Sequence, residues 1–411
     1  MKKYRILLIC LFISFNLAAQ NSIRVMTWNI HDYTPYNPTP TDPGRVDFNN
    51  PGLKAVIDEM KPDVLVCQEV RDQASVDQLL KYVLEYKYIA AEFIPSTQMN
   101  SVLFYKESIF TSLGNIVHQA ETRPINEFPL IYEPTGDTLI IFSVHLKAND
   151  INSANNNFDN KQKRASQVQV FRNRTANLPA NKNFVILGDF NTLNGSETAF
   201  QMLIDQSSKG YVLDPQNSVG EWERNPAYAH THTMYANNLN VRFDMILISQ
   251  SLRDPGGVDY GYVPYPIVAN DGQHYGKAVN APPTNLLGQS LADAAVSASD
   301  HLPVFADILF GVPSTVDESG IPVQFDLRQN YPNPFNPSTT IHYRIESPGH
   351  VTLKVYDFIG REVATLVDQF QLPGIYNSNF SSGDLGLTSG IYFYRIVCGN
   401  FSSTKKMILI K

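Results

Sequence analysis

A chain of 411 residues with 43% hydrophobic side chains can bury two or three sizeable cores, at about 150 residues per domain. Its 39 Asp and Glu against 32 Lys and Arg exclude a protein that grips nucleic acid by overall positive charge, so a polyanionic substrate needs local cations or a metal ion. Three cysteines, Cys10, Cys67 and Cys398, fall in what reads as a leader and two separate domains, which excludes a disulfide framework.

Lys2, Lys3 and Arg5 precede an apolar run from Ile6 to Phe15 and then Leu17, Ala18 and Ala19, the pattern of a secretory signal peptide cleaved after Ala19. That run is far short of the roughly 20 residues that cross a bilayer, and no later segment is longer, so no transmembrane segment is expected. Cleavage leaves 29 bases against 39 acids, a net charge of −10. Ile23–Ile30 reads as a strand ending on Asn29, a residue that forms turns more often than it binds ligands. Asp32–Pro51 is a long polar, proline-rich loop, and Leu53–Met60 has helical spacing with Pro62 just beyond it. Asp63–Val70 is a second strand with Gln68 and Glu69 at its tip; Glu is depleted in strands, which favours a site there. Arg71 follows at once. A helix over 74–86 and a strand over Ser101–Lys106 come next, with Tyr105 at the strand's end, where edge packing is the commoner role.

Thr138–Leu146 is a third apolar strand, with His145 at its tip and Lys147 two residues on. After an Asn-rich loop, Lys161–Leu178 reads as a helix whose Lys163, Arg164 and Arg172 form a solvated face. Phe184–Leu187 suits a fully covered strand, and Gly188 lets the backbone turn so that Asp189 and Asn191 leave its carboxyl end on the rim, where open α/β sheets place ligands. A helix over Glu197–Asp205 follows. His230 and His232 alternate but lack a third ligand of matching spacing. Val241–Ser249 is a strand interrupted by Asp244, which needs a partner such as His unless the strand is an edge facing water. Leu252–Ala298 reads as a long lobe or lid, and Asp300 and His301 directly precede a final strand.

Carboxylates, carboxamides and histidines at strand ends, with no cysteine among them, suit a hard divalent cation, Mg2+ or Mn2+, and attack of water on phosphorus. In this order the runs TWN at Asn29, CQEVRD at Glu69, SVHLK at His145, GDFN at Asp189, RFDMIL at Asp244 and SDHLPV at His301 resemble the endonuclease/exonuclease/phosphatase superfamily. That superfamily includes pancreatic-type deoxyribonuclease, abasic-site endonucleases, neutral sphingomyelinases and inositol polyphosphate phosphatases. The resemblance implies an α/β fold, a four-layer α/β/β/α sandwich. It implies that Glu69 holds the metal with Asn29 and Asp300, that Asp189 polarises the attacking water, and that Asn191 and His145 bind the scissile phosphate. His301, oriented by Asp244, acts as acid or base. Arg71 and Tyr105 match phosphate-contacting positions of deoxyribonuclease-like members, Tyr105 more loosely.

Gly311–Gly320 is a Pro, Ser and Gly linker, and beyond it alternating strands broken by Gly and Pro turns indicate a small all-β sandwich. From Val323 on, with QNYPNPFNPST and a basic last strand, this piece resembles the C-terminal sorting domain of type IX secretion. The expected order is a signal peptide over 1–19, a catalytic domain over 20–310, a linker over 311–322 and a sorting domain over 323–411. The leading reading is a monomeric phosphodiesterase that hydrolyses extracellular DNA or RNA. It is exported through the periplasm and released or displayed at the cell surface by the type IX machinery. A sphingomyelinase-like or small-molecule phosphoesterase is the alternative, and a binding protein on a dead catalytic scaffold is the third.

Overall fold

A computed structural model describes residues 21–34, 46–96, 99–149, 154–216, 218–234, 239–253, 257–261, 263, 266–312, 325–330, 332–345, 349–371, 374–383, 385–399 and 401–410. The signal peptide and the expected linker over 311–322, apart from residues 311 and 312, which end a strand, lie outside the described residues, as does most of the proline-rich loop.

Two sheets face each other. The first has the strand order Gly257–Gly261, Val304–Val312, Asn21–Tyr33, Val64–Val70, Asn100–Tyr105 and Ile89–Ala90. The second runs Val212–Leu213, Asp244–Ser249, Asn183–Asp189, Asp137–His145, Ile125–Tyr132 and Phe110–Ser112, with Ile116–His118 also pairing to Ile125–Tyr132. Strand periodicity explains why 184–187 is apolar throughout. Val185 and Leu187 face inward with Ile141, Ile246 and the first sheet, while Phe184 and Ile186 face outward with Phe142, Met245 and the helices Ala154–Thr175 and Thr198–Ile204. The helices Val46–Met60 and Gln289–Ala298 pack on each other beside the first sheet. Gly52 permits their close approach, since a Cβ there would lie 2.7 Å from the Ala294 carbonyl oxygen. The result is the four-layer α/β/β/α sandwich.

Three local differences from the sequence reading have clear causes. The first helix begins at Val46 and carries Pro51 as its sixth residue, where the ring removes one backbone hydrogen bond of the ladder without ending the helix. Arg164 and Arg172 are buried instead of solvated. Arg164 pairs with Glu197, and Arg172 donates to the carbonyls of Met202 and Leu203, satisfying groups that a helix end leaves open. The 252–298 region is no detached lid where described. Ile267, Val268, Val279, Ala292 and Ala295 join the core, and Asn285 Nδ2 donates to the Ala269 and Val279 carbonyls.

Beyond residue 325 a three-stranded sheet (Asp326–Leu327, Ser338–Ile345, Gly374–Ser381) and a four-stranded sheet (Glu362–Gln371, Gly349–Tyr356, Gly390–Cys398, Phe401–Leu409) share a core of Ile341, Tyr343, Val351, Leu353, Tyr394, Ile396 and Met407. This is the expected small all-β sandwich. Among the described residues no helix is long and apolar enough to cross a membrane.

Gly188 is the position where the fold tolerates least. Its φ is +129°, and an added Cβ would sit 2.0 Å from the Val144 carbonyl oxygen of the parallel neighbour strand. Gly188→Ala should therefore destabilise the protein by about 3 kcal/mol or more. The measure is the urea midpoint, and an unchanged midpoint would contradict this close approach.

Candidate active site

Parallel pairing places strand tips side by side: Asn29 beside Gln68 in the first sheet, and His145 beside Asp189 in the second. Asp244 opens an antiparallel strand and sits opposite Asp189. Register shifts occur just after Asn29 and at Glu69, and Glu69 (φ 63°) and Asn191 (φ 51°) both adopt left-handed backbone. A non-glycine residue in that region costs of order 1–3 kcal/mol and persists only where its surroundings fix it. Here the shift turns Glu69 to the rim. Gln68 points between the sheets instead, donating to Thr27 Oγ1 and Ser143 Oγ.

The two sheets meet through Asn29, whose Nδ2 donates to Glu69 Oε1 at 3.0 Å and to Asp189 Oδ2 at 3.1 Å. Its Oδ1 accepts from the His31 amide, and Glu69 Oε2 accepts from the Asp32 amide. Asp189 Oδ1 accepts from the Asn191 amide at 2.9 Å. His301 Nδ1 lies 2.7 Å from Asp244 Oδ2, and the Asp244 amide donates to Thr233 Oγ1. Trp28 Nε1 donates to the His301 carbonyl, and Ser299 Oγ bonds the Asn29 carbonyl, so the segment bearing His301 is sewn to the strand bearing Asn29. His145 Nε2 is 3.5 Å from Asp189 Oδ2 and 3.8 Å from Glu69 Oε1.

Burial sets opposite charge states on the two histidines. His145 falls well below the usual histidine range, chiefly by desolvation, with Arg123, His301 and Lys147 acting the same way. Burial would also lower His301, but the charge of Asp244 and the hydrogen bond to it outweigh that and raise it to about 10. Burial pushes Asp189 up to about 7; the charge of His301 opposes this, while Asp244 and Glu69 add to it. The site thus holds one neutral imidazole, one imidazolium and one carboxyl group poised near neutrality.

Glu69 offers oxygen donors on a water-accessible rim, its side chain being 18% exposed, while Asn29 is buried behind it with its oxygen on the His31 amide. Among the described residues no three His, Cys, Asp or Glu form a ready cage. That donor set fits a hard divalent cation, which keeps several waters and takes one or two carboxylates together with substrate phosphate oxygens. Asp300 is placed apart from Glu69's hydrogen bonds, with its Oδ1 3.2 Å from His31 Nδ1.

Two expected substrate contacts stand differently in space. Arg71 is on the correct rim but clamps Asp32 with its guanidinium. Tyr105 is at the wrong end. It pairs with Val64, whereas Ser101 pairs with Gln68, so its strand carries it away from Glu69, and it is corrected to a packing residue. The sequence reading also passed over Arg123. Half-buried, it donates to the Leu146 carbonyl at 2.8 Å; burial lowers it from the usual arginine range, while Asp189 and Glu69 favour its charge. Arg-Pro ahead of an unassigned strand gave no strand-tip signal. His230 and His232 form no metal group among the described residues.

Carboxylates on the rim of a layered sandwich, a histidine–aspartate pair and a half-buried arginine are groups that hydrolysis of a phosphate ester can use. Residues 16–301 match the model of the Endonuclease/Exonuclease/phosphatase family, and residues 329–411 match that of the secretion system C-terminal sorting domain. The chain belongs to the endonuclease/exonuclease/phosphatase family, phosphoesterases that typically depend on a divalent metal. The sorting domain implies the type IX machinery as a partner, with export to the cell surface or medium. Similar solved structures include Danio rerio TDP2 complexed with a single-strand DNA product (16% identity, 70% of this chain, 98% of that one, TM-score 0.46). A Bacteroides thetaiotaomicron family protein is 15% identical, covering 71% and 99%, with a TM-score of 0.45. A mannosyl-6-phosphatase of the same organism is 14% identical, covering 70% and 100%, also at 0.45. No curated protein matches the sequence.

Arg123→Met should lower kcat/KM on bis(4-nitrophenyl) phosphate on the order of 10- to 100-fold, the roughly 1.5–3 kcal/mol of one charge-assisted contact. The circular dichroism spectrum should not change, and a wild-type rate would remove Arg123 from the site.

Proposed function

We propose that the chain is a secreted Mg2+- or Mn2+-dependent phosphodiesterase acting on extracellular DNA or RNA. The observation that carries this reading is the Asn29 bridge, which brings Glu69 and Asp189 together beside the His301–Asp244 pair. Glu69, with Asn29, holds the cation, and Asp300 flanks it from the His301 segment. When bound, the cation offsets charge growing on the phosphoryl oxygens. Asp189, fixed through both oxygens by Asn29 and Asn191, accepts a proton from the attacking water. Asn191 and the neutral His145 contact the scissile phosphate. The His301 imidazolium, oriented through Nδ1 by Asp244, presents its other ring nitrogen to the phosphate or the leaving oxygen. Arg71 contributes to a flanking phosphate only by exchanging Asp32 for it.

A smaller or lipid phosphoester is the second reading. It is favoured by the removal of Tyr105 from the site and by the acidic net charge of −7, neither of which helps hold a long polyanion. Turnover of plasmid DNA, RNA, sphingomyelin and bis(4-nitrophenyl) phosphate, each with and without EDTA, separates the two.

Glu69→Gln should cost on the order of a thousandfold in rate while leaving the fold intact. Full activity of that variant in EDTA would sink the metal assignment. Asp189→Asn and His301→Ala should each be nearly inactive yet bind substrate about as well as the parent, because they remove proton handling and keep most phosphate contacts. Weakened binding with turnover preserved at saturation would reverse these roles.

The domain division follows the same logic, since every assigned site residue precedes 311. Residues 20–312 alone should keep full turnover but accumulate in the periplasm of the host. Normal secretion of that fragment would refute the sorting role, and its inactivity after purification would refute the division.

A further inference from the structure

The loop beyond His145 and the loop beyond Asp189 are joined by one side chain that nothing above uses. Asn149 Oδ1 accepts from Arg164 Nη2 at 3.0 Å, and Asn149 Nδ2 donates to the Asn191 carbonyl at 2.9 Å. The orientation of this carboxamide is forced, because a guanidinium only donates and a carbonyl only accepts. Arg164 is itself immobile. It is fully buried, its Nε and Nη2 hold both Glu197 oxygens, and its Nη1 donates to the Lys147 carbonyl at 2.7 Å. One helical turn on, Gln167 accepts from the Lys147 amide and donates to the Arg123 carbonyl. Asn191 is therefore pinned at both ends of its backbone, the amide on Asp189 and the carbonyl on Asn149, while its Nδ2 donates to the Leu146 carbonyl. Those contacts hold a left-handed residue that would relax without them.

We propose that Asn149 is a positioning residue for the reaction, a relay that transmits the rigid Arg164–Glu197 pair to Asn191 and fixes the angle at which the Asn191 carboxamide meets phosphate. Only a group with one acceptor and one donor on the same planar fork can serve, which a carboxylate or hydroxyl cannot reproduce at both partners. The inference rests on the reading that Asn191 contacts the scissile phosphate. Asn149 is half-exposed and outside the core, so its loss touches geometry more than folding.

The test uses the full chain with saturating Mn2+ and bis(4-nitrophenyl) phosphate, comparing the parent with Asn149→Ala, Asn191→Ala and the double variant. Asn149→Ala should lower kcat about tenfold with KM within about twofold and an unchanged thermal midpoint. Asn191→Ala should lower kcat more, and the double variant should be no slower than Asn191→Ala alone, since the relay acts only through Asn191. An unchanged kcat in Asn149→Ala overturns the proposal, as does a double variant in which the two losses multiply. So does a loss in Asn149→Ala matched by a fall in thermal midpoint, which marks a structural role. If Asn191→Ala itself turns over at the parent rate, the phosphate role of Asn191 fails first, and the relay falls with it.

Discussion

One carboxamide, that of Asn29, holds the site together. Two carboxylates from different sheets, Glu69 and Asp189, converge on its two N–H groups at 3.0 and 3.1 Å. Without a donor between them, the buried Asp189 and the partly buried Glu69 would repel each other. The Asn29 oxygen is also engaged, by the His31 amide, so the side chain cannot rotate away cheaply. The strand that carries it, Asn21–Tyr33, sits in the middle of its sheet between Val64–Val70 and Val304–Val312. Packing of the two inner sheet faces thus becomes angstrom-scale placement of charges at their rim.

Around this contact the charges are graded by burial. Burial, with the charges of Arg123, His301 and Lys147, lowers His145, whereas in the equally enclosed His301 the charge and hydrogen bond of Asp244 outweigh burial and raise it. The orienting groups are fixed in turn. Thr233 Oγ1 accepts the amides of both Phe243 and Asp244, and Arg242 beside them pairs with Asp214 over the face of Trp222. Rigid neighbours of this kind keep a reacting group within the narrow range of geometry that proton transfer tolerates.

Much of this arrangement was legible in the sequence because strand ends announce themselves. An apolar run that stops on Asn, Glu, His or Asp puts that residue on a rim, as for Asn29, Glu69, His145 and Asp189; Asp244, read inside a strand that in fact begins with it, and His301, read just ahead of one, join them there. What escaped reading has a common cause. Tyr105 also ends an apolar strand, but that strand runs antiparallel to Val64–Val70, and strand direction is not written in composition. Arg164 and Arg172 looked like surface charges because helical spacing says which face a residue is on, but not that a glutamate or bare carbonyls wait opposite. Arg123 precedes the strand Ile125–Tyr132, which the sequence reading did not assign, so nothing marked it.

The pairing of Asn21–Tyr33 with Val304–Val312, in register from Asn21 opposite Phe310 to Thr27 opposite Val304, joins segments almost three hundred residues apart. Closing so long a loop carries an entropic cost that local hairpins and helices do not. Until it closes, Trp28 has no His301 carbonyl to bond and Asn29 has no Ser299 hydroxyl on its own carbonyl. The site is therefore complete only once the chain has been made through the strand that ends at Val312. A polypeptide that stops short of the three-hundreds lacks His301 and the strand that sews it to Asn29.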